Sequence, residues 1–232
     1  MNEISIIPIT GLPEIKKGDQ LASMTLGAID DSGNEIKEND IFVVTQKVIS
    51  KSEGRERDLN EYKIEDLIKN ETKQIIRKRG DLIIAQTKHG FICANAGIDK
   101  SNIEKNKALL LPEDPNKSAK KFRNQIESQS GKSVAVVISD TFGRAWRKGQ
   151  VNFAIGSSGI SPIKNYIGKF DSFNNELFAT EIATIDEIAS AAELVMEKSI
   201  NIPIAIVRGF EYEKSNEDAS LLIRDQQEDF FL

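Results

Sequence analysis

With 232 residues, 39% of them hydrophobic and 29% charged, the chain can bury a substantial core and is too apolar to be disordered. A formal charge of -5 excludes non-specific nucleic-acid binding as the main activity, because gripping phosphate backbones needs a basic surface. The single cysteine, Cys93, excludes an intramolecular disulfide. There is no Cys/His set for zinc and no apolar run long enough to span a bilayer, so a cytoplasmic protein without a membrane partner is expected.

Ile4 to Ile9 reads as a strand, and Leu21, Met24 and Ala28 recur at helical spacing after Gly18-Asp19. Asp31-Ser32-Gly33-Asn34 is a turn, and Ile41-Phe42-Val43-Val44 is a strong strand signal. The charged stretch from Arg55 to Arg79 is expected to be helical, with apolar points at Ile64, Leu67, Ile68, Ile75 and Ile76. Asp81 to Thr87 and Leu109 to Leu111 are apolar runs, and Asp114-Pro115 reads as an N-cap followed by Pro at the first helical position. That helix carries Ala119, Phe122 and Ile126 on one face and stops near Gly131. Val134 to Ile138 is a strand, Thr184 to Lys198 a helix, Ile202 to Val207 a late strand, and the acidic tail is expected to be a partly exposed helix. Strands and helices mix without regular alternation, which predicts an α+β fold of mixed sheets and helices, and the length suits one large domain over 1–232 or two small intertwined ones. There is no internal repeat.

Gly131-Lys132-Ser133 resembles the end of a P-loop, but Ile126 stands where the first Gly belongs and a β-branched run follows where a helix should. No Gly-x-Gly-x-x-Gly joins a strand to a helix either, so neither a P-loop nor a Rossmann pattern is present. Two polar segments remain, each behind an apolar run: Cys93 to Asn102 and Ser139 to Gln150. They place Asp99 and Asp140 beside small, amide, hydroxyl and basic side chains. Two carboxylates with Thr141 make a platform for Mg²⁺ or Mn²⁺ against phosphate oxygens, although an isolated Asp is more often a cap or turn residue. Lys47, Lys51 and Arg55 recur every four residues, which a helix would align on one face for phosphate binding. Arg144 and Arg147 suit bidentate recognition of phosphate or carboxylate. His89, the lone histidine, and Cys93 read as structural, and Asp186-Glu187 as acids answering a helix dipole.

These segments, with Val48 to Arg55, Leu110 to Pro115, Ala154-Ile155-Gly156, Asp186 to Met196 and Pro203 to Gly209, resemble the coenzyme F420-0:L-glutamate ligase (F420 gamma-glutamyl ligase) family in order and over nearly the whole chain. The resemblance implies a GTP-dependent ligase that joins L-glutamate to the deazaflavin precursor F420-0 and then adds a second glutamate through a γ-linkage, by way of an acyl phosphate. It implies two divalent ions per site (Mg²⁺ or Mn²⁺), K⁺, and an intertwined homodimer, here without the nitroreductase-like extension of some relatives. By position, Asp99, Asp140 and Thr141 match the metal ligands. Leu12, Pro13, Glu14, Ile15, Gln46, Lys47, Lys51, Asn102 and the stretch Met196-Glu197-Lys198-Ser199 match the nucleotide contacts. Asp140, with Arg144 and Arg147, is the expected catalytic set. Two positions depart from the family pattern: Glu197-Lys198, where relatives usually have Gly and some an acid, and Asn174-Asn175, where relatives often have Gly-Arg. A ligase for another carboxylate, or a nucleotide- and metal-binding protein without turnover, are the alternative readings.

Overall fold

The computed structural model describes residues 3–101 and 104–229. In chain order its elements are β1 (Ser5–Ile9), α1 (Leu21–Asp31), β2 (Ile41–Thr45), α2 (Gln46–Ser52), β3 (Glu56–Asp58), α3 (Ile64–Glu71), β4 (Thr72–Arg79), β5 (Leu82–Thr87), β6 (Ile92–Ala94), β7 (Lys107–Leu109), α4 (Pro115–Ser130), β8 (Ala135–Arg144), β9 (Arg147–Ser158), β10 (Lys164–Asn165), β11 (Glu181–Ile182), α5 (Thr184–Met196) and β12 (Ile204–Arg208). The fold is α+β. A mixed five-stranded sheet in the order β1-β12-β2-β8-β9 forms its centre, with β2 and β8 parallel and the other neighbours antiparallel.

Both faces of this sheet are covered, which is why its central strands read as unbroken apolar runs rather than alternating ones. Phe42, Val44, Val136, Ile138, Ile204 and Ile206 face a core closed by α1, α2 and α4. Their neighbours Ile41, Val43, Ala135, Val137, Ala205 and Val207 face a second core closed by α5. The two-residue period of the strands thus splits one apolar run between two layers. A smaller cluster around Leu67, Ile68, Ala85, Ala96 and Leu110 sits under the three-stranded sheet β4-β5-β6.

The start of α4 is built as the sequence predicts. Asp114 accepts a hydrogen bond from the Lys117 N–H at 2.9 Å, and Pro115 occupies the first turn. Gly131 ends the helix in the left-handed conformation, φ 69°. The P-loop lookalike is therefore a helix stop followed by a strand. Where α4 meets β9 the backbones touch: a Cβ on Gly156 would lie 2.5 Å from the Pro115 carbonyl oxygen. Since this glycine does not have a positive φ, the constraint is space rather than conformation. Gly156→Ala should destabilise the protein by about 1–3 kcal/mol, measured by urea unfolding; a loss below ~0.5 kcal/mol would mean the helix can simply slide.

Three expectations need correction. The Arg55–Arg79 stretch is helical only over Ile64–Glu71; Thr72–Arg79 is a strand, folded against β5 through the tight Gly80-Asp81 turn, with Gly80 at φ 60°. The β-branched residues Thr72, Ile75 and Ile76 favour that strand, and the turn supplies its partner. The segment Ser139–Gln150 is no loop: β8 continues through it to Arg144 and returns as β9. The acidic tail contains only short 3-10 turns at Ala219–Leu222 and Gln226–Glu228 within the described residues. No described helix is long and apolar enough to cross a membrane.

Candidate active site

A cavity of about 340 Å³ opens at the carboxyl ends of the parallel strands β2 and β8. β2 delivers Thr45 and then α2, with Gln46, Lys47 and Lys51; β8 delivers Ser139, Asp140 and Thr141. The Asn201-Ile202-Pro203 segment closes one side because β12 runs antiparallel to β2, and Thr45 N–H donates to the Pro203 carbonyl at 2.9 Å. The carboxyl ends of parallel strands are where open sheets leave room for ligands.

The loop after β1 completes the wall. Leu12, Pro13, Glu14 and Ile15 all line the cavity, and Ile15 anchors the loop by reaching the core at 4% exposure. Glu14 pairs with the ammonium of Lys51, a largely buried residue of α2. Lys47 donates to Asp99 Oδ2 at 2.7 Å and to Ser101 Oγ at 2.7 Å. Arg55, the third member of the expected basic row, lies beyond the end of α2, past Gly54. It binds the Leu111 carbonyl at 2.8 Å and Glu71 at 3.2 Å and does not line the cavity.

The two expected carboxylates differ in their surroundings. Asp99 sits opposite Leu109 in an isolated bridge and accepts the Ser101 N–H at 2.6 Å, so it caps a turn and no helix. Burial works to raise its carboxyl pKa, but the Lys47 ammonium and the Ser101 N–H and hydroxyl outweigh that and hold it below the usual value. Asp140 is pushed up from 3.8 to about 7, chiefly by burial. The Thr141 N–H opposes this, the Asp99 charge adds to it, and the Lys47 and Lys198 ammoniums relieve part of it. At Asp140 burial outweighs the neighbouring ammoniums. Beside it, Gln46 Nε2 and Ser139 Oγ are buried polar atoms without a partner among the described residues.

Thr141 donates to Asn152 Oδ1 at 2.7 Å, and Asn152 Nδ2 donates to Glu193 on α5 at 2.8 Å. Lys198 completes this cluster, with its Nζ 2.6 Å from Thr141 Oγ1. Asp186, read from the sequence as a dipole residue, accepts the Ala154 N–H at 2.8 Å and so docks the start of α5 onto β9.

Glu197 lines the cavity in a conformation of φ 45° and ψ -174°, a region nearly reserved for glycine. It ends α5 two residues before the expected stop and turns the chain toward Thr141. Glu197→Gly should therefore stabilise the protein by about 1 kcal/mol, seen as a higher urea midpoint at unchanged slope; an unchanged midpoint would show that the bend is unstrained.

Of the expected nucleotide contacts, Leu12, Pro13, Glu14, Ile15, Gln46, Lys47, Lys51, Glu197 and Lys198 line one cavity. Met196 lies beneath it, fully buried in the α5 core; Ser199 is exposed and outside the lining; Asn102 lies outside the described residues. Of the expected metal ligands, Asp140 and Thr141 line the cavity, while Asp99 stands behind Lys47. Arg144 and Arg147 are not brought there. They sit at the tip of the β8–β9 hairpin, roughly 13 Å along the strand from Asp140, and Arg144 closes the hairpin by donating to the Lys148 carbonyl at 2.9 Å. His89 is structural: its Nε2 lies 3.0 Å from the Pro112 carbonyl oxygen, and its ring stacks on Phe91. Cys93 is buried, its thiol pushed up to about 12 by burial first and the Asp140 charge second, and it does not line the cavity. Ser139, Asn152, Glu193 and Asn201 escaped the sequence reading. Asn152 left a signal there, as a lone amide inside the apolar run Val151 to Ile155.

A family model described as F420-0:Gamma-glutamyl ligase matches residues 10–209. The chain belongs to that family. Curated relatives bear the name coenzyme F420:L-glutamate ligase. The one from Methanothermobacter thermautotrophicus is 36% identical over 98% of both chains, and that from Methanocaldococcus jannaschii is 40% identical over 95% of this chain and 94% of its own. A third, from Archaeoglobus fulgidus, is 38% identical over 89% of this chain and 88% of its own. The matched span contains every described cavity residue named above.

The second family departure has a local explanation. Asn174 adopts φ 65°, a left-handed conformation that Asn tolerates better than most residues other than Gly. Asp171 accepts the backbone N–H groups of Phe173 and Asn175 and the Asn175 side-chain amide, closing an exposed turn.

Proposed function

We propose that the chain is a GTP-dependent ligase that joins L-glutamate to the carboxylate of F420-0 by an amide bond and then adds a further glutamate through a γ-linkage. Family membership supports the reaction class. The observation that carries the reading is the convergence of the β1 loop, the α2 lysines and the Asp140-Thr141 edge on one cavity. In this scheme the acceptor carboxylate attacks the γ-phosphorus of GTP and GDP departs. The glutamate amine then attacks the acyl phosphate, losing a proton as inorganic phosphate leaves.

The chain's own residues supply position and charge. Lys47 and Lys51 present ammoniums on successive turns of α2, and Glu14 and Asp99 hold them there. Gln46 Nε2 and Ser139 Oγ offer buried polar atoms that a bound phosphate or sugar would satisfy. The Asp140 carboxylate is a hard oxygen donor on the cavity wall, where one Mg²⁺ or Mn²⁺ would offset its charge and that of Asp99 beyond it. Such an ion would neutralise charge on the transferring phosphoryl group. A homodimer would account for the exposed Trp146, Phe173 and Phe178, and light scattering on the purified chain tests it.

The decisive assay combines purified chain, GTP, Mg²⁺ or Mn²⁺, K⁺, L-glutamate and F420-0, and expects glutamylated product with stoichiometric GDP. Lack of product with validated substrate under both metals would sink the reading. Turnover with a different acceptor only would reassign the substrate.

A further inference from the structure

The Lys198 side chain, 55% exposed along its length, ends among three oxygens at the cavity wall. Its Nζ lies 2.6 Å from Thr141 Oγ1, 2.9 Å from Glu193 Oε1 and 3.3 Å from Asn152 Oδ1. The three oxygens come from β8, α5 and β9, so independent elements fix their spacing. They are also tied to one another, through Thr141 to Asn152 and Asn152 to Glu193, and Asn152 is 1% exposed. A hydroxyl, an amide carbonyl and a carboxylate are the donor types that hold a hard cation. The strained Glu197 bend aims the lysine at these oxygens, so the backbone is committed to the arrangement.

We propose that the Lys198 ammonium is a built-in cation of this site, taking the place among Thr141, Asn152 and Glu193 that an exchangeable metal ion would otherwise occupy. The inference rests on reading the cavity as a phosphate-handling site. An ammonium there adds to Lys47 a second positive charge acting on Asp140, at any external salt composition. The chain then works with a single divalent ion, on the Asp140 side, and is indifferent to K⁺.

The test is Mn²⁺ titration of the full chain, followed by electron paramagnetic resonance with and without GDP, for the native protein, Lys198→Glu and Lys198→Ala. Each variant, checked for an unchanged melting profile, is expected to bind one more Mn²⁺ per chain than the native protein, because removing the ammonium frees Glu193, Asn152 and Thr141. An unchanged stoichiometry in both variants overturns the inference, as does binding of two Mn²⁺ by the native chain. The readout is independent of turnover, so it stands apart from the ligation assay: a gained Mn²⁺ in a chain that ligates nothing upholds the built-in cation and sinks the ligase reading alone. In an active enzyme, replacing K⁺ by tetramethylammonium should change the native rate less than twofold; a K⁺ requirement would count against the proposal.

Discussion

Asp140→Asn should abolish ligation, with a fall in kcat of about 10²–10³-fold or more, while leaving the protein folded and, without divalent ions, more stable than the native chain at pH 8. The sign follows from linkage. The folded state holds the Asp140 proton up to about pH 7, whereas the unfolded chain releases it near 3.8. Between those values the folded state binds more protons, so this carboxyl's contribution falls as pH rises and levels off above about 7. Each unit of the rise corresponds to roughly 1.4 kcal/mol. Asn carries no such penalty, so the variant's advantage should grow from pH 4 to pH 7 and then stay flat. Adding Mg²⁺ at pH 8 should raise the native melting temperature and leave the variant's unchanged. Near-normal turnover in Asp140→Asn would remove the residue from the mechanism, and a pH-independent stability difference would mean that water reaches the carboxyl freely.

The second large effect is expected far from the cavity. Asp40 is fully buried at the start of β2, and Arg208 at the end of β12 grips it with two hydrogen bonds of 2.8 and 2.7 Å. Arg208 also donates to the Glu35 carbonyl at 2.7 Å, and the Lys37 N–H donates to Asp40 at 2.8 Å. Arg208→Met would leave a buried carboxylate without its ion partner and should cost about 3–5 kcal/mol in urea unfolding. Adding Asp40→Asn should recover much of that loss, because no charge is then stranded. A loss below ~1 kcal/mol in the single variant would show that Asp40 is solvated after all.

How far the sequence reached depended on the range of the interactions involved. Local signals were legible: the Asp114-Pro115 cap, the Gly131 stop, the apolar face of α4 and the apolar runs of β2 and β8 were read in place. Thr72–Arg79 was misread because its strand character comes from pairing with β5 across a two-residue turn, while its charges imitate a helix surface. The β8–β9 hairpin was misread for a similar reason. Asp140 and Thr141 are polar strand residues because Phe153 and Asn152 pair with them from across the sheet, and no window around Asp140 contains that partner. The family resemblance placed most of the cavity lining, and the bottom-up reading of Asp140 agreed with it. Arg144 and Arg147 were chosen on residue type alone, and they lie at the hairpin tip. Asp99, Lys47 and Lys198 were all singled out in the sequence, but their partners, Lys47 for Asp99 and Thr141, Asn152 and Glu193 for Lys198, follow only from three-dimensional placement.

The parallel pairing of β2 with β8 sets a constraint on how the molecule comes into being. Ile41 pairs with Ala135, and the cavity they support draws its walls from Leu12 through Pro203. Closing loops of that length is entropically costly before any contact repays it, so the central pairing is expected to form late and slowly. The wall is complete only with β12 beside β2, because Asn201, Ile202 and Pro203 lead into that strand. A nucleotide captured there would therefore oppose global unfolding rather than a local opening, and its protection should reach amides on both faces of the central sheet in hydrogen exchange.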